Sequence, residues 1–436
     1  MKLSSSFFKP LSQYSLLGAI SVLMITDTHL WFLKPSEILF FVAVTAGFFY
    51  LVPNNLRLLK LIDKKIYGAL AVFFVSPFLA SFISYIRYGI SLDTYGALFI
   101  LRFLLCLVVL FLVLLYSKEN SRFFWYVLCA LLAPLVFIIT LTFPDWAHLS
   151  LVFRGNGRFY GASEPVITAA SLLVAFSIVW GYFLHTFPKK KLLASLFFVL
   201  STGSAGLILW TLTRGHWLGL GAAALFLAWI YAQKSRKVLR VATNILLTVI
   251  MFASAFFILP TSIKSAVLLR VYVQYNLEFW NKNSDLTALT AADLSELLFK
   301  IDKDTTRAAA TTILQSEQRP KMWYDYSRIL LQNPLGLGLN RPSDTMLQAV
   351  RTTHRAAHNT LLDMGAWGGI GSIGAFLYLV FLGGSNIRKK LSPATEWDRT
   401  RYAVVGAALL GLFIASMFDG LTFLKFIWVV LGLSLA

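Results

Sequence analysis

Four short stretches carry the groups able to do chemistry in an otherwise apolar chain. Arg154-Gly-Asn-Gly-Arg158-Phe-Tyr-Gly161-Ala-Ser-Glu164-Pro165 is a glycine-rich basic loop leading into a helix. Its glycines let backbone N–H groups approach an anion and its two arginines can fork onto phosphate oxygens. A flexible external loop with scattered positives accounts for it about equally well. The Walker A loop and the dinucleotide fingerprint both need a preceding strand, and neither fits. Thr213-Arg214-Gly215-His216-Trp217 is the whole turn between two apolar runs. A planar, permanently charged guanidinium there suits a pyrophosphate, and a snorkelling arginine beside an anchoring Trp is the alternative. Arg319 opens a segment with apolar residues at Trp323, Tyr326 and Leu330, and Asn333-Pro334-Leu335-Gly336-Leu337-Gly338 follows as a helix stop and turn.

The fourth stretch, Arg351-Thr-Thr-His354-Arg355-Ala-Ala-His358-Asn359, runs straight into an apolar segment. Helical spacing puts Arg351, His354, Arg355 and His358 on one stripe with His358 innermost. A histidine there can accept a proton near neutral pH, as a general base must, or can simply sit at an interface. His354 and His358 lack both the H-E-x-x-H glutamate and an evident third ligand, so no metal is expected.

These stretches punctuate a frame that only a membrane explains. Of 436 residues, 58% are hydrophobic and 14% charged, against about 45–50% and roughly 25% in a soluble domain. Apolar runs near the membrane-spanning length recur at about 11–26, 36–53, 66–86, 95–116, 123–144, 165–186, 192–212, 216–232, 241–260, 358–383, 402–418 and 421–436. In lipid these must be helices, because an open strand would leave backbone groups unpaired, and the runs are apolar on all sides, unlike barrel strands. The expectation is an all-α polytopic protein of about twelve transmembrane helices: nine within 1–260, three within 358–436, and a long loop with amphipathic helices at 261–357. No cleavage site follows the first run, which is kept as a span.

The net charge of +19 raises nucleic acid as a partner in a soluble chain, but here it is a matter of sides. With the N-terminus cytoplasmic, the inner connections hold 20 basic residues and the outer short loops 5 (Lys34, Arg87, Arg154, Arg158, Arg214). By the positive-inside rule both termini are then cytoplasmic, and the loop 261–357 lies outside. Within that loop, 262–280 and 321–332 mix apolar and charged residues at helical spacing. Arg154, Arg158, Arg214, Arg319 and His358 thereby fall on one face, where an anionic lipid head group would be met, and are expected to form one site for a lipid-linked pyrophosphate. Glu164, His354, Arg351, Arg355 and Asn359 are candidate supporting groups. Arg102 and Lys425 lie inside spans, where they must pair, snorkel or touch head groups. Cys106 and Cys129 fall within apolar runs and offer neither a disulfide framework nor a thiolate metal site.

The set Thr213-Arg214-Gly215, Arg319 with Trp323, Asn333–Gly338, and His358-Asn359-Thr360-Leu361 followed by Gly365, Gly368, Gly369 and Gly371 resembles the O-antigen ligase and polymerase superfamily of bacterial inner membranes. The resemblance implies a GT-C-like glycosyltransferase. It implies transfer of O-antigen glycan from undecaprenyl pyrophosphate to the outer sugar of lipid A-core, on the periplasmic side, without nucleotide, metal or other cofactor. It further implies that Arg214 and Arg319 hold the pyrophosphate while His358 activates the acceptor hydroxyl. Members commonly carry an acidic residue near the positions that are Gly365-Ala366-Trp367 here; this chain has Asp363 instead, to which no role is assigned. An O-antigen polymerase or a protein O-oligosaccharyltransferase of the same superfamily is the alternative. A transporter of lipid-linked glycan, which predicts charged or broken helices at mid-membrane, is the reading from another class.

Overall fold

The computed structural model describes residues 5–23, 35–51, 60–89, 94–145, 165–233, 238–259, 322–338, 357–392, 395–420 and 425–436, with a few isolated positions near 264 and at 319. Regular structure among them is helical throughout. In chain order the helices are α1 (Ser5–Ser21), α2 (Pro35–Leu51), α3 (Lys64–Tyr88), α4 (Thr94–Glu119), α5 (Ser121–Asp145), α6 (Pro165–Thr186), α7 (Lys191–Trp210), α8 (Arg214–Gln233), α9 (Val238–Phe257), α10 (Thr360–Leu391), α11 (Glu396–Ser416) and α12 (Lys425–Leu435). Each of the twelve apolar runs yields a helix, and among the described residues nine of these are long and apolar enough to cross a membrane. The chain is a polytopic membrane protein.

The bundle is built around α6, α8 and α11, each packed against the other two. Backbone approaches backbone there because glycines allow it. Gly219 of α8 lies against the carbonyl of Gly411 in α11, while a side chain at Gly215 would meet the Ala415 carbonyl at 3.0 Å. Small residues four apart on both partners let helices close in lipid, where no hydrophobic drive separates helix from solvent. The consequence for function is positional: the start of α8 is pressed against the end of α11. On the outside of the bundle, α9 buries only 22% of its apolar window and turns the rest outward, as a lipid-facing helix should.

Two intramembrane charges find a partner. Glu37, 2% exposed, places Oε1 at 3.3 Å from both Lys425 Nζ and Arg102 Nε, which ties α2 to α12 and α4. Of the outcomes open to Arg102 and Lys425, pairing is the one observed.

α10 is not one continuous helix. Gly368 (φ −128°) and Gly369 (φ 65°) break it eight residues after its start. The segment Asn333–Gly338 lies across the break: Leu337 N–H donates to Ala366 O at 2.6 Å, Gly338 N–H to Trp367 O at 2.9 Å, and Ile370 N–H to Pro334 O at 2.9 Å. Every one of these backbone groups would otherwise be orphaned in an apolar setting. From the other side, Ser84 donates to Leu337 O at 2.7 Å, and Tyr88 and Arg87 donate to Asn333 Oδ1 at 3.1 and 3.2 Å, which fastens the strap to the end of α3. The glycines are steric requirements: a Cβ on Gly336 would meet the Gly369 nitrogen, and one on Gly369 would collide with the Pro334 carbonyl.

Candidate functional site

The site is assembled where α8 and α10 begin and α11 ends. Thr213-Arg214-Gly215-His216 opens α8; Thr213 is buried and shares a 2.7 Å hydroxyl contact with Thr211. His216 is fully buried, with Nδ1 at 3.5 Å from Asp419 Oδ2. Arg319 donates from Nη1 to Phe418 O at 2.6 Å and from Nη2 to Asp419 Oδ1 at 3.3 Å, 99 and 100 residues further along the sequence. Asp419, 4% exposed, therefore stands between a histidine and an arginine drawn from two separately expected motifs. A guanidinium carries five N–H donors, of which these bonds engage two. Arg214 lies half-buried at the N-terminus of α8, where the helix dipole adds partial positive charge to its own.

His358 joins the same ground through its neighbours. Asn359 caps α10, accepting from Leu361 and Leu362 N–H at 3.0 and 3.1 Å, and its Nδ2 donates to Met417 O at 2.7 Å. Thr360 Oγ1 donates to Asp419 O at 3.0 Å. On the other flank, Ala357 N–H donates to Asp363 Oδ1 at 2.9 Å, and Ala357 O accepts from Trp323 Nε1 at 3.1 Å. Between these anchors His358 is exposed, with φ 50°, a left-handed conformation uncommon outside glycine. For His358 this corrects the expected helical stripe, because a helix cannot run through a left-handed residue followed by an N-cap. His358 sits on a pinned turn before α10, not on the helix.

Trp323, beyond its bond to Ala357, packs its ring 6.1 Å from Phe418, so the segment led by Arg319 touches the site twice. Residues 322–332 are helical, as expected for the amphipathic stretch at 321–332. On its inner side Tyr326 is buried, and desolvation followed by the Asp363 charge raises its phenol above the usual range. It stays a neutral phenol at physiological pH and is no base.

The structure thus brings together Arg319, the Arg214–His216 corner and the His358–Asn359 turn. Arg154, Arg158, Glu164, Arg351, His354 and Arg355 lie outside the described residues, as does most of the expected amphipathic stretch at 262–280. Two groups that the sequence reading did not single out are Asp419 and His216. The signal for Asp419 was available: one carboxylate in a short connector between two apolar runs of a chain with 20 acids against 39 bases. Asp363, left unassigned, holds the His358 turn. Among the described residues no three His, Cys, Asp or Glu side chains gather as a metal site would require.

Arginines and a pinned, exposed histidine brought to one connector at the end of a helical bundle can, respectively, bind an anion and take up a proton from a hydroxyl. Residues 196–379 match the family model described as O-Antigen ligase, a stretch that holds Arg214, His216, Arg319, His358 and Asp363 and ends before Asp419. The match supports membership of the O-antigen ligase superfamily. A comparison with curated proteins finds no match.

Proposed function

We propose that the chain is an O-antigen ligase, moving a glycan from undecaprenyl pyrophosphate to the outer sugar of lipid A-core at the periplasmic face of the bacterial inner membrane. The observation that carries this reading is the meeting of three separate motifs on the Phe418–Asp419 connector, with Arg319 bonded to both of its residues. In this reading α1, α2 and α12 also span the membrane, giving twelve crossings in a GT-C-like frame, with both termini cytoplasmic, a placement the 20:5 basic distribution supports.

The chemistry follows from the groups in place. The donor arrives activated, since a lipid pyrophosphate leaves as an anion, and Arg319 and Arg214 stabilise the charge that grows on it. Asp419 orients Arg319. His358 accepts the proton that the acceptor hydroxyl loses as its oxygen attacks the anomeric carbon, a role that typically contributes 10²–10⁴-fold. One in-line displacement inverts the anomeric centre, and neither nucleotide nor metal enters it.

The test is in vitro transfer with purified protein, undecaprenyl-pyrophosphate-linked glycan and lipid A-core, with EDTA and without nucleotide. Product from the native chain, lost in His358→Ala and Arg214→Ala, is the expected result; no product from folded protein that still binds donor would sink the reading. Lipopolysaccharide from a deletion strain separates the nearest alternative. Core without any O-antigen, with lipid-linked polymer accumulating, means ligase, whereas core bearing a single repeat unit means polymerase. The break in α10 is the kind of feature a transporter would show. Its backbone groups are bonded to the 333–338 strap instead of lining a path, so it lends transport no support.

A further inference from the structure

At the end of the bundle away from the candidate site, α8, α10 and α11 part to leave an open groove of about 970 Å³. Its walls are apolar, formed by Phe226, Val380 and Leu409 among others, and its far end carries Arg388 and Arg399. The same three helices bear the candidate site at their opposite ends, so the arginines lie at the wrong end of the groove to serve it. The acids nearby are already engaged: Glu396 pairs with Lys189, and Asp398 with Arg401 at 3.1 Å. Arg399 donates from Nη2 to Ile230 O at 3.1 Å, at the end of α8, while its Nε is buried with no hydrogen-bond partner among the described residues. Gly384 faces the groove, and a Cβ built on it meets nothing within 4 Å.

An apolar trough that ends in two guanidinium groups matches one ligand class: an amphiphile with an anionic head and apolar chains. We propose that this groove binds an anionic phospholipid of the leaflet opposite the candidate site, its phosphate on Arg388 and Arg399 and its acyl chains along Phe226, Val380 and Leu409. Lys389 and Lys390 on the same end add to the positive field that would recruit it. The isoprenoid tail of a donor lipid fits less well, since its charged head would sit at the other end and its apolar terminus would meet the arginines.

The experiment measures lipid retained by the purified full chain, by native mass spectrometry, in the presence of phosphatidylglycerol or phosphatidylcholine. The native chain is expected to retain one phosphatidylglycerol with a preference of about 25-fold, roughly fivefold for each arginine. Arg388→Gln, which touches none of the bonds described, lowers the preference about fivefold, and Arg388→Gln with Arg399→Gln brings it near parity. Gly384→Leu fills open space, so it abolishes retention while the unfolding midpoint stays at the native value. Equal retention of the two phospholipids by the native chain, or unchanged retention in Arg388→Gln and Gly384→Leu, overturns the proposal. So does displacement of phosphatidylglycerol by an uncharged long-chain polyprenol, which would assign the groove to an isoprenoid tail.

Discussion

A left-handed backbone at a residue with a Cβ costs about 1–2 kcal/mol, so His358 keeps φ 50° because Asp363, Trp323 and the Asn359 cap hold the turn around it. Strain retained at an exposed histidine points to a role for that geometry. His358→Gly is therefore expected to leave the thermal unfolding midpoint at or above the native value while transfer is lost. A fall in both would make the histidine structural. Asp419→Asn keeps the shape of the connector but removes the charge that Arg319 meets at 3.3 Å. Since hydrogen bonds to charged groups contribute about 1.5–3 kcal/mol, kcat/KM for the donor should fall about 10–100-fold. The histidine turn was half legible in the sequence: Asn359 before an apolar run, with Asp363 soon after, is an N-cap signal, yet the i, i+3, i+4, i+7 pattern of charges pointed to a longer helix. Asp419 was not assigned because its partners come from residues 216 and 319, far along the chain.

At the scale of elements, two devices hold the bundle end in shape. The strap 333–338 and the break in α10 fit because Gly336 on one and Gly368 and Gly369 on the other carry no side chain at their closest approach. Gly369→Ala meets both a left-handed φ of 65° and the Pro334 carbonyl, so it should destabilise by about 2–4 kcal/mol, the left-handed penalty and a steric shift together. Thermal unfolding in detergent measures it, and Gly374→Ala, with open space around its Cβ, is the matched control. The second device is the buried carboxylate of Glu37. Glu37→Gln strands Lys425, which is 9% exposed, and should cost about 3 kcal/mol, as breaking one partner of a buried pair does. Pairing of Arg102 and Lys425 was foreseeable from the cost of an unpaired charge in lipid; that both share one acid was not, since Glu37 reads as an ordinary first-turn carboxylate. The Gly368-Gly369 break was equally hidden, because paired glycines in an apolar run read as well for close helix packing as for a kink.

For the whole molecule, the helix positions were nearly all legible because lipid enforces one regular structure, and hydropathy alone marks it. Boundaries shifted where local chemistry overrode hydropathy. α10 runs to Leu391, well past the apolar stretch ending near 383, because Arg388, Lys389 and Lys390 favour a helix C-terminus. Sidedness is read at the C-terminus: a green fluorescent protein fused after Ala436 should fluoresce, and alkaline phosphatase fused there should be inactive, if the C-terminus is cytoplasmic. The reverse pattern would place the Asp419 corner in the cytoplasm and remove lipid A-core as acceptor.

The strap also dictates an order of events during biogenesis. Residues 333–338 are synthesised before α10, yet the groups they bond, Ala366 O, Trp367 O and Ile370 N–H, exist only once α10 has emerged, and Ser84 and Tyr88 were in place long before. Until the broken helix is inserted, the strap therefore has only its partners on α3 to bond. A ribosome stalled before residue 360 would leave the strap without its seat, and the site would close only after the last three helices have entered the bilayer.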